Sequence, residues 1–180
     1  DNIGLIFGEL EKSGQWDDTL IVFSADHGEY LGDHYMTGKG GLFNGAMHIP
    51  CIIRDPDADA GQAHDGFVES IDLGPTVLEW LGVDIPDRFQ GRSLLAAVHG
   101  DGKDLREEIH YEFDYRSAAR AIEPDTDMDQ HLLWVIRDAS YKYVHFADER
   151  VPPLLFDLGA DPGEFKNLAD RPEHAPVVLD

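Results

Sequence analysis

Apolar positions along this chain of 180 residues follow several distinct patterns. Near the start, four apolar residues recur every three or four positions and predict a helix that ends at Gly14: Ile3, Ile6, Phe7 and Leu10. The next apolar run, residues 20–23, is continuous and is followed by polar residues. It predicts a buried parallel strand over 19–24 that opens into a loop. Another apolar run predicts a second strand over 48–54.

The later part of the chain carries shorter elements. Asp72 is placed to cap a helix that ends at Gly82, with Pro75 in its first turn. A short helical turn is expected over 94–98. Three strand-like segments then predict a small antiparallel sheet, with a tight turn at 138–140: 109–113, 132–136 and 141–146. The chain is therefore predicted to be α/β, with part of an α/β domain over 1–106 and an antiparallel-sheet subdomain over 107–180.

The most informative polar residues follow the first strand. Asp26 and His27 lie where that strand opens into a loop, the end of an α/β sheet at which ligands bind. His34 and Lys39 follow within a glycine-rich loop. A carboxylate, an imidazole and a cation are what a metal-assisted attack on an anionic ester needs. Taken alone, the Asp-His pair fits a capping Asp beside an exposed His better than a metal site.

Composition narrows the function classes. The chain has 14 Lys plus Arg and 36 Asp plus Glu, and its formal charge of −22 repels nucleic acid, so we expect no nucleic-acid partner. An anionic substrate then needs local positive charge. There is no apolar run of about 18 residues, so no membrane-spanning helix is predicted. Cys51 is the one cysteine and is expected to be a buried structural thiol. A single cysteine suits a reducing compartment, so we expect a cytoplasmic location, or a periplasmic one if a leader precedes the chain.

Several motifs together resemble the sulfatase family within the alkaline phosphatase superfamily. They are the string over 24–34, Gly38-Lys39-Gly40 and His48-Ile49-Pro50. The similarity is greatest to the phosphonate monoester hydrolase and phosphodiesterase branch, followed by the arylsulfatases. Three later motifs resemble structural parts of the same family: Asp72-x-x-Pro75-Thr76, Gly91-Arg92-Ser93-Leu94, and Asp161-Pro162 with Glu164. The resemblance implies an alkaline-phosphatase-like central sheet flanked by helices.

The resemblance also implies roles for the candidate residues. Asp26 and His27 would bind one divalent metal ion, and Lys39 would contact an oxygen of the ester in catalysis. His34 either lines the pocket or has a structural role in its loop. His48 either contacts substrate or packs. Mn is weakly favoured over Zn and Ca, because imidazole suits Mn or Zn better than Ca.

The family's nucleophile motif is missing from this sequence. Formylglycine forms from the Cys or Ser of Cys/Ser-x-Pro-x-Arg, whereas Cys51 is followed by Ile-Ile-Arg. We therefore expect the C-terminal part of a larger hydrolase of sulfate or phosphonate esters, inactive without its upstream half. Its expected partners are that half and a small anionic ester, and a homo-oligomer stays open. The alternatives are a non-catalytic scaffold that binds an anion or a partner, and a two-metal phosphatase, for which the later histidines lack the spacing.

Overall fold

The computed structural model describes residues 2–59, 61–102, 105–122, 125 and 127–179. The helices in these ranges are α1 (Asn2–Ser13), α2 (Asn44–Met47), α3 (Leu73–Trp80), α4 (Leu95–Val98), α5 (Arg116–Ile122) and α6 (Ala175–Leu179). The strands are β1 (Ile21–Ser24), β2 (Cys51–Arg54), β3 (Ile109–Asp114), β4 (Leu132–Arg137), β5 (Tyr141–Phe146) and β6 (Leu154–Asp157). No described helix has both the length and the apolar character needed to cross a membrane.

Contacts divide the chain into two compact units. The first unit is Asp1–Asp26 with Pro50–Arg106, and the second is His27–Ile49 with Glu107–Asp180. The loop over 27–49 thus groups with the C-terminal sheet, whereas the sequence analysis placed it with the first 106 residues. The domain division at 106 and 107 stays a prediction.

The first unit contains a two-stranded sheet. β1 and β2 pair antiparallel, with Ile21 opposite Arg54 and Ser24 opposite Cys51. The predicted parallel pairing is therefore wrong for these two strands, because a continuous apolar run does not specify strand direction. β2 also begins three residues later than predicted, after Pro50, which has no N–H to donate to a sheet.

Asp72 connects two motifs of the first unit, Asp72-x-x-Pro75-Thr76 and Gly91-Arg92-Ser93-Leu94. Its carboxylate accepts from the backbone N–H groups of Arg92 at 2.7 Å and Glu69 at 2.8 Å, and pairs with the guanidinium of Arg106. Asp72 occupies the N-cap position of α3, as predicted, but its side chain makes no capping hydrogen bond to that helix. Thr76 completes the joint, because its hydroxyl donates to the Asp72 carbonyl and accepts from the Leu94 N–H at 2.9 Å. Asp72-x-x-Pro-Thr thereby fixes the Gly-Arg-Ser-Leu turn.

The second unit is built on a four-stranded antiparallel sheet in the order β3-β4-β5-β6. Its core residues come from alternate positions of the strands and from the loop before α2: Leu42, Leu133, Val135, Val144 and Phe156. The tight turn between β4 and β5 forms because the Asp138 carboxylate accepts from the N–H groups of Ser140 and Tyr141. The α/β class and the small antiparallel sheet are both confirmed.

Candidate active site

Asp26 and His27 are consecutive residues that follow β1. Asp26 is exposed and His27 is partly buried. The Nδ1 atom of His27 lies 2.6 Å from the carbonyl oxygen of Gly28. A carbonyl can only accept, so Nδ1 carries the proton, and in a neutral ring Nε2 is the nitrogen able to ligate a metal ion.

Gly28 lets the chain pass close to α2 directly after His27. Its N–H donates to the Ala46 carbonyl at 2.7 Å. A Cβ atom at this position would overlap the carbonyl oxygen of Gly45, so only glycine fits without a shift of the backbone. The glycine of Asp-His-Gly therefore has a packing role that supports the placement of His27.

Lys39 is exposed, and the residues on both sides of it are held by Tyr30. The backbone N–H of Tyr30 donates to the Gly38 carbonyl at 3.1 Å, and its hydroxyl donates to the Gly40 carbonyl at 2.8 Å. The Glu29 carboxylate accepts from the Gly38 N–H. Both glycines have positive φ angles, which this tight turn requires. The turn thus presents the Lys39 ammonium from a fixed backbone.

Tyr30 is itself almost wholly buried, at 1% exposure. Burial raises the pKa of its phenol above the ordinary value, so the hydroxyl stays protonated at neutral pH and can donate to Gly40. The same oxygen accepts from the Phe43 N–H at 3.3 Å. Tyr30 was not selected from the sequence, where it appeared only as one residue of the family string.

His34 lies in a strained turn and stacks between two aromatic rings. The His34 ring is parallel to the Phe43 ring, and their centroids are 3.7 Å apart. The centroid of the Phe165 ring lies 4.8 Å from that of His34. Leu31, His34 and Tyr35 all have positive φ, a conformation that costs non-glycine residues about 1–3 kcal/mol each. The stacking gives His34 a packing role in the loop, and its role in catalysis stays a prediction.

The sequence predicted that His48 begins a strand. In the structure His48 instead follows α2. The backbone N–H of His48 donates to the Asn44 carbonyl at 2.9 Å, and this bond ends the helix. His48 is exposed. The substrate contact expected of its side chain stays a prediction.

The described residues contain no group of three or more His, Cys, Asp or Glu side chains placed to hold a metal ion. Asp26 and His27 are two suitable donors that the covalent chain keeps together, since consecutive Cα atoms are about 3.8 Å apart. A complete coordination shell needs about four ligands or more. This pair therefore fits part of a metal site.

Cys51 lines a cavity of about 860 Å³ in the first unit and is exposed. The prediction of a buried thiol is therefore wrong. The apolar run in which Cys51 lies suggested burial, but the neighbouring Ile52 is also 61% exposed. Burial on one side raises the pKa of the Cys51 thiol, and the charge of Asp72 adds to the shift. A raised pKa lowers the fraction of thiolate at neutral pH.

The chain matches the family model described as N-sulphoglucosamine sulphohydrolase, C-terminal, over residues 32–180. The chain belongs to the sulfatase family. This confirms the resemblance carried by the string over 24–34 and by the later motifs.

The similar proteins include an alkaline phosphatase superfamily protein, a sulfatase and a phosphonate monoester hydrolase. The multifunctional alkaline phosphatase superfamily protein PehA of Trinickia caryophylli is 49% identical over 100% of this chain and 36% of its own length. The N-acetylglucosamine-6-O-sulfatase of Bacteroides thetaiotaomicron is 31% identical over 97% of this chain and 31% of its own. The crystal structure of the phosphonate monoester hydrolase of Agrobacterium radiobacter is 40% identical, with a TM-score of 0.88 over 98% of this chain and 36% of that one. The chain spans about a third of the length of these relatives.

Proposed function

We propose that this chain is the C-terminal part of a metal-dependent hydrolase of sulfate or phosphonate esters. The observation that carries the proposal is the Asp26-His27 pair, with the His27 ring oriented by its Nδ1–H bond to the Gly28 carbonyl, followed by a Lys39 whose turn is fixed on both sides. Sulfatases and phosphonate monoester hydrolases among the relatives are ester hydrolases, which supports the same reaction class.

Asp26 and His27 would hold one divalent ion together with ligands from elsewhere in the complete protein. The ion would supply positive charge to an ester oxygen and lower the pKa of the nucleophile. A carboxylate with an imidazole suits Mn or Zn, and the imidazole disfavours Ca, so Mn remains the preferred ion of the proposal. Gly28 keeps the His27 ring oriented by accepting from its Nδ1–H.

Lys39 would donate to a non-bridging oxygen of the ester as negative charge develops there. Such a donor in a site that excludes water contributes about 3 kcal/mol to lowering the barrier, or about 10²-fold in rate. Local positive charge is needed because the chain carries a formal charge of −22. The fixed turn at Gly38 and Gly40 holds the backbone of this lysine, so only its side chain has to be ordered by the substrate.

The nucleophile is proposed to lie in a part of the protein N-terminal to this chain, as a formylglycine. This chain has no Cys/Ser-x-Pro-x-Arg motif, and the relatives are about three times as long. The first unit also exposes large apolar side chains, as expected of a piece of a larger fold: Leu5 and Ile6 on α1, Phe23 on β1 and Ile52 on β2.

Phosphonate monoesters are the substrate class that we propose for the complete protein. Identity is 40% to the phosphonate monoester hydrolase, against 31% to the sulfatase. An aryl phosphonate monoester should therefore be hydrolysed with a higher kcat/KM than the matching aryl sulfate.

The test uses the full reading frame that contains this chain, assayed with both aryl esters. Asp26→Ala removes a metal ligand and should lower kcat/KM for the better substrate by at least about 10²-fold. Asp57→Ala removes an exposed carboxylate elsewhere in the first unit and should leave kcat/KM unchanged. Absence of Asp26-dependent turnover of either ester would refute the proposal and favour a non-catalytic scaffold.

A further inference from the structure

The segment 42–44 lies between the two candidate substrate-binding residues and is bound by polar groups of the C-terminal half of the second unit. It follows Lys39 by three residues and precedes His48 by four. The Leu42 carbonyl, the Asn44 side chain and the Asn44 N–H each bond to a residue at least 98 positions later in the chain. These bonds link the sheet to the loop that carries Lys39.

Lys142 supplies two of these bonds from the core of the sheet. It lies on β5 on the same face as Val144, and both residues have 0% exposure. Its ammonium donates to the Leu42 carbonyl at 2.8 Å and to Asn44 Oδ1 at 2.9 Å, and it pairs with the Glu164 carboxylate. The three protons of the ammonium therefore have three acceptors.

Glu164 supplies the third bond from the Asp161-Pro162-Gly163 turn. Its Oε2 atom accepts from the Asn44 N–H at 2.7 Å, while its Oε1 atom pairs with Lys142. Glu164 is 3% exposed and has a φ of +60°, a conformation that non-glycine residues rarely adopt. Its own N–H donates to the Asp161 carbonyl at 3.0 Å, which fixes the turn.

Burial of a lysine and a glutamate is an inefficient way to stabilise a core. Loss of hydration offsets most of the attraction between the charges, and apolar residues of similar size often serve equally well. An apolar pair, however, could not bond to the Leu42 carbonyl, the Asn44 amide and the Asn44 N–H together. The pair is thus suited to fixing the position of this segment.

We infer that Lys142 and Glu164 are positioning residues that set the place of Lys39 and His48 for ester hydrolysis. The inference rests on the proposed function, because it assigns these two residues to the same site. The Tyr111 hydroxyl donates to the same Leu42 carbonyl at 2.7 Å, and Phe43 stacks on His34. Displacement of 42–44 would therefore disturb both the Lys39 turn and the His34 ring.

The experiment compares Lys142→Met, Glu164→Met and the double variant in the full reading frame. Each single variant leaves a buried charge without its partner and should unfold at a lower temperature. The double variant removes both charges with side chains of similar size and should recover much of the lost melting temperature. Lys166→Met is the matched control, since Lys166 is exposed two residues after Glu164.

Kinetics of the double variant separate positioning from simple stability. If 42–44 positions Lys39, kcat/KM should stay about 10²-fold below wild type after the melting temperature recovers, mainly through kcat. Lys39→Ala should then cost little more in the double variant, although it costs about 10²-fold in wild type. A double variant with wild-type kcat/KM, or with the full Lys39→Ala loss, would overturn the inference.

Hydrogen exchange gives a readout that does not depend on turnover. Amides over 38–48 should exchange faster in the double variant, while those of β3 and β4 keep wild-type rates. Unchanged exchange over 38–48 would overturn the inference even in an inactive protein. Absence of Asp26-dependent turnover in wild type would instead count against the proposed function, so the two failures are distinguishable.

Discussion

At the scale of single residues, Tyr30 makes most of the hydrogen bonds that shape the Lys39 turn. Its hydroxyl bonds to Gly40 and Phe43, and its N–H bonds to Gly38. Since the phenol is buried, no water can readily replace it. The presentation of Lys39 thus depends on one oxygen atom that the sequence pattern did not single out.

Tyr30→Phe should lower both stability and activity. The change leaves the Gly40 carbonyl and the Phe43 N–H without this partner, at a cost of about 1–3 kcal/mol in the free energy of unfolding. The kcat/KM should fall by about 10-fold or more, because the Lys39 turn loosens. Urea unfolding and ester hydrolysis measure the two effects. Tyr35→Phe is the control within the same loop, since Tyr35 is fully exposed; equal effects of the two changes would argue against the role of Tyr30.

Lys142 and Glu164 show why some residues of the site escape sequence analysis. Lys142 was assigned correctly to a strand, yet its position on the buried face was not recognised. Its acceptors Leu42 and Asn44 are 100 and 98 positions away in the chain. Glu164 belonged to a recognised motif but was taken as merely structural. Local pattern gives the element of a residue, whereas its distant partner comes only from the tertiary structure.

At the scale of elements, strands with clear alternation and helices with glycine stops were predicted well. β5 has its predicted bounds, and α1 and α3 end before Gly14 and Gly82, which both have positive φ. The wrong predictions concern features that the pattern of apolar and polar residues does not specify. A continuous apolar run did not reveal that β1 pairs antiparallel with β2, and the His-Ile-Pro segment was taken as strand although His48 ends a helix.

The joint between α3 and the turn at 91–94 should depend on pH through Asp72. Burial raises the pKa of Asp72, but Arg106 and the N–H groups of Glu69 and Arg92 outweigh burial and hold the pKa below the ordinary 3.8. A lowered carboxyl pKa contributes stability that is present above pH 3.8 and is lost as the pH falls through the folded-state value. The joint should therefore weaken only in acid.

Asp72→Asn should cost about 3 kcal/mol in the free energy of unfolding at pH 7, because Arg106 loses its buried partner. The variant should also show a smaller loss of stability between pH 5 and pH 3 than wild type, since the titrating group is gone. Urea unfolding across this range measures both effects, with Asp57→Asn as the control. If Asp72→Asn lost as much stability between pH 5 and pH 3 as wild type does, the assignment of this pH dependence to Asp72 would be contradicted.

At the scale of the whole molecule, the chain is strongly acidic and carries candidate residues for part of an active site. Its two candidate metal ligands and one candidate cation come from 14 consecutive residues, 26–39. The relatives are about three times as long, which agrees with a site completed by residues outside this sequence. The sequence motifs were sufficient for family and fold, but not for the bonds that hold the site in place.

The most direct measurement determines bound divalent metal and hydrolysis of an aryl phosphonate monoester together, in wild type and His27→Ala of the full reading frame. His110→Ala is the control, because this exposed histidine lies on β3 and pairs with Glu108. We expect His27→Ala to lose bound metal and at least about 10²-fold in kcat/KM, with the control unchanged. Wild-type metal content and turnover in His27→Ala would contradict the account.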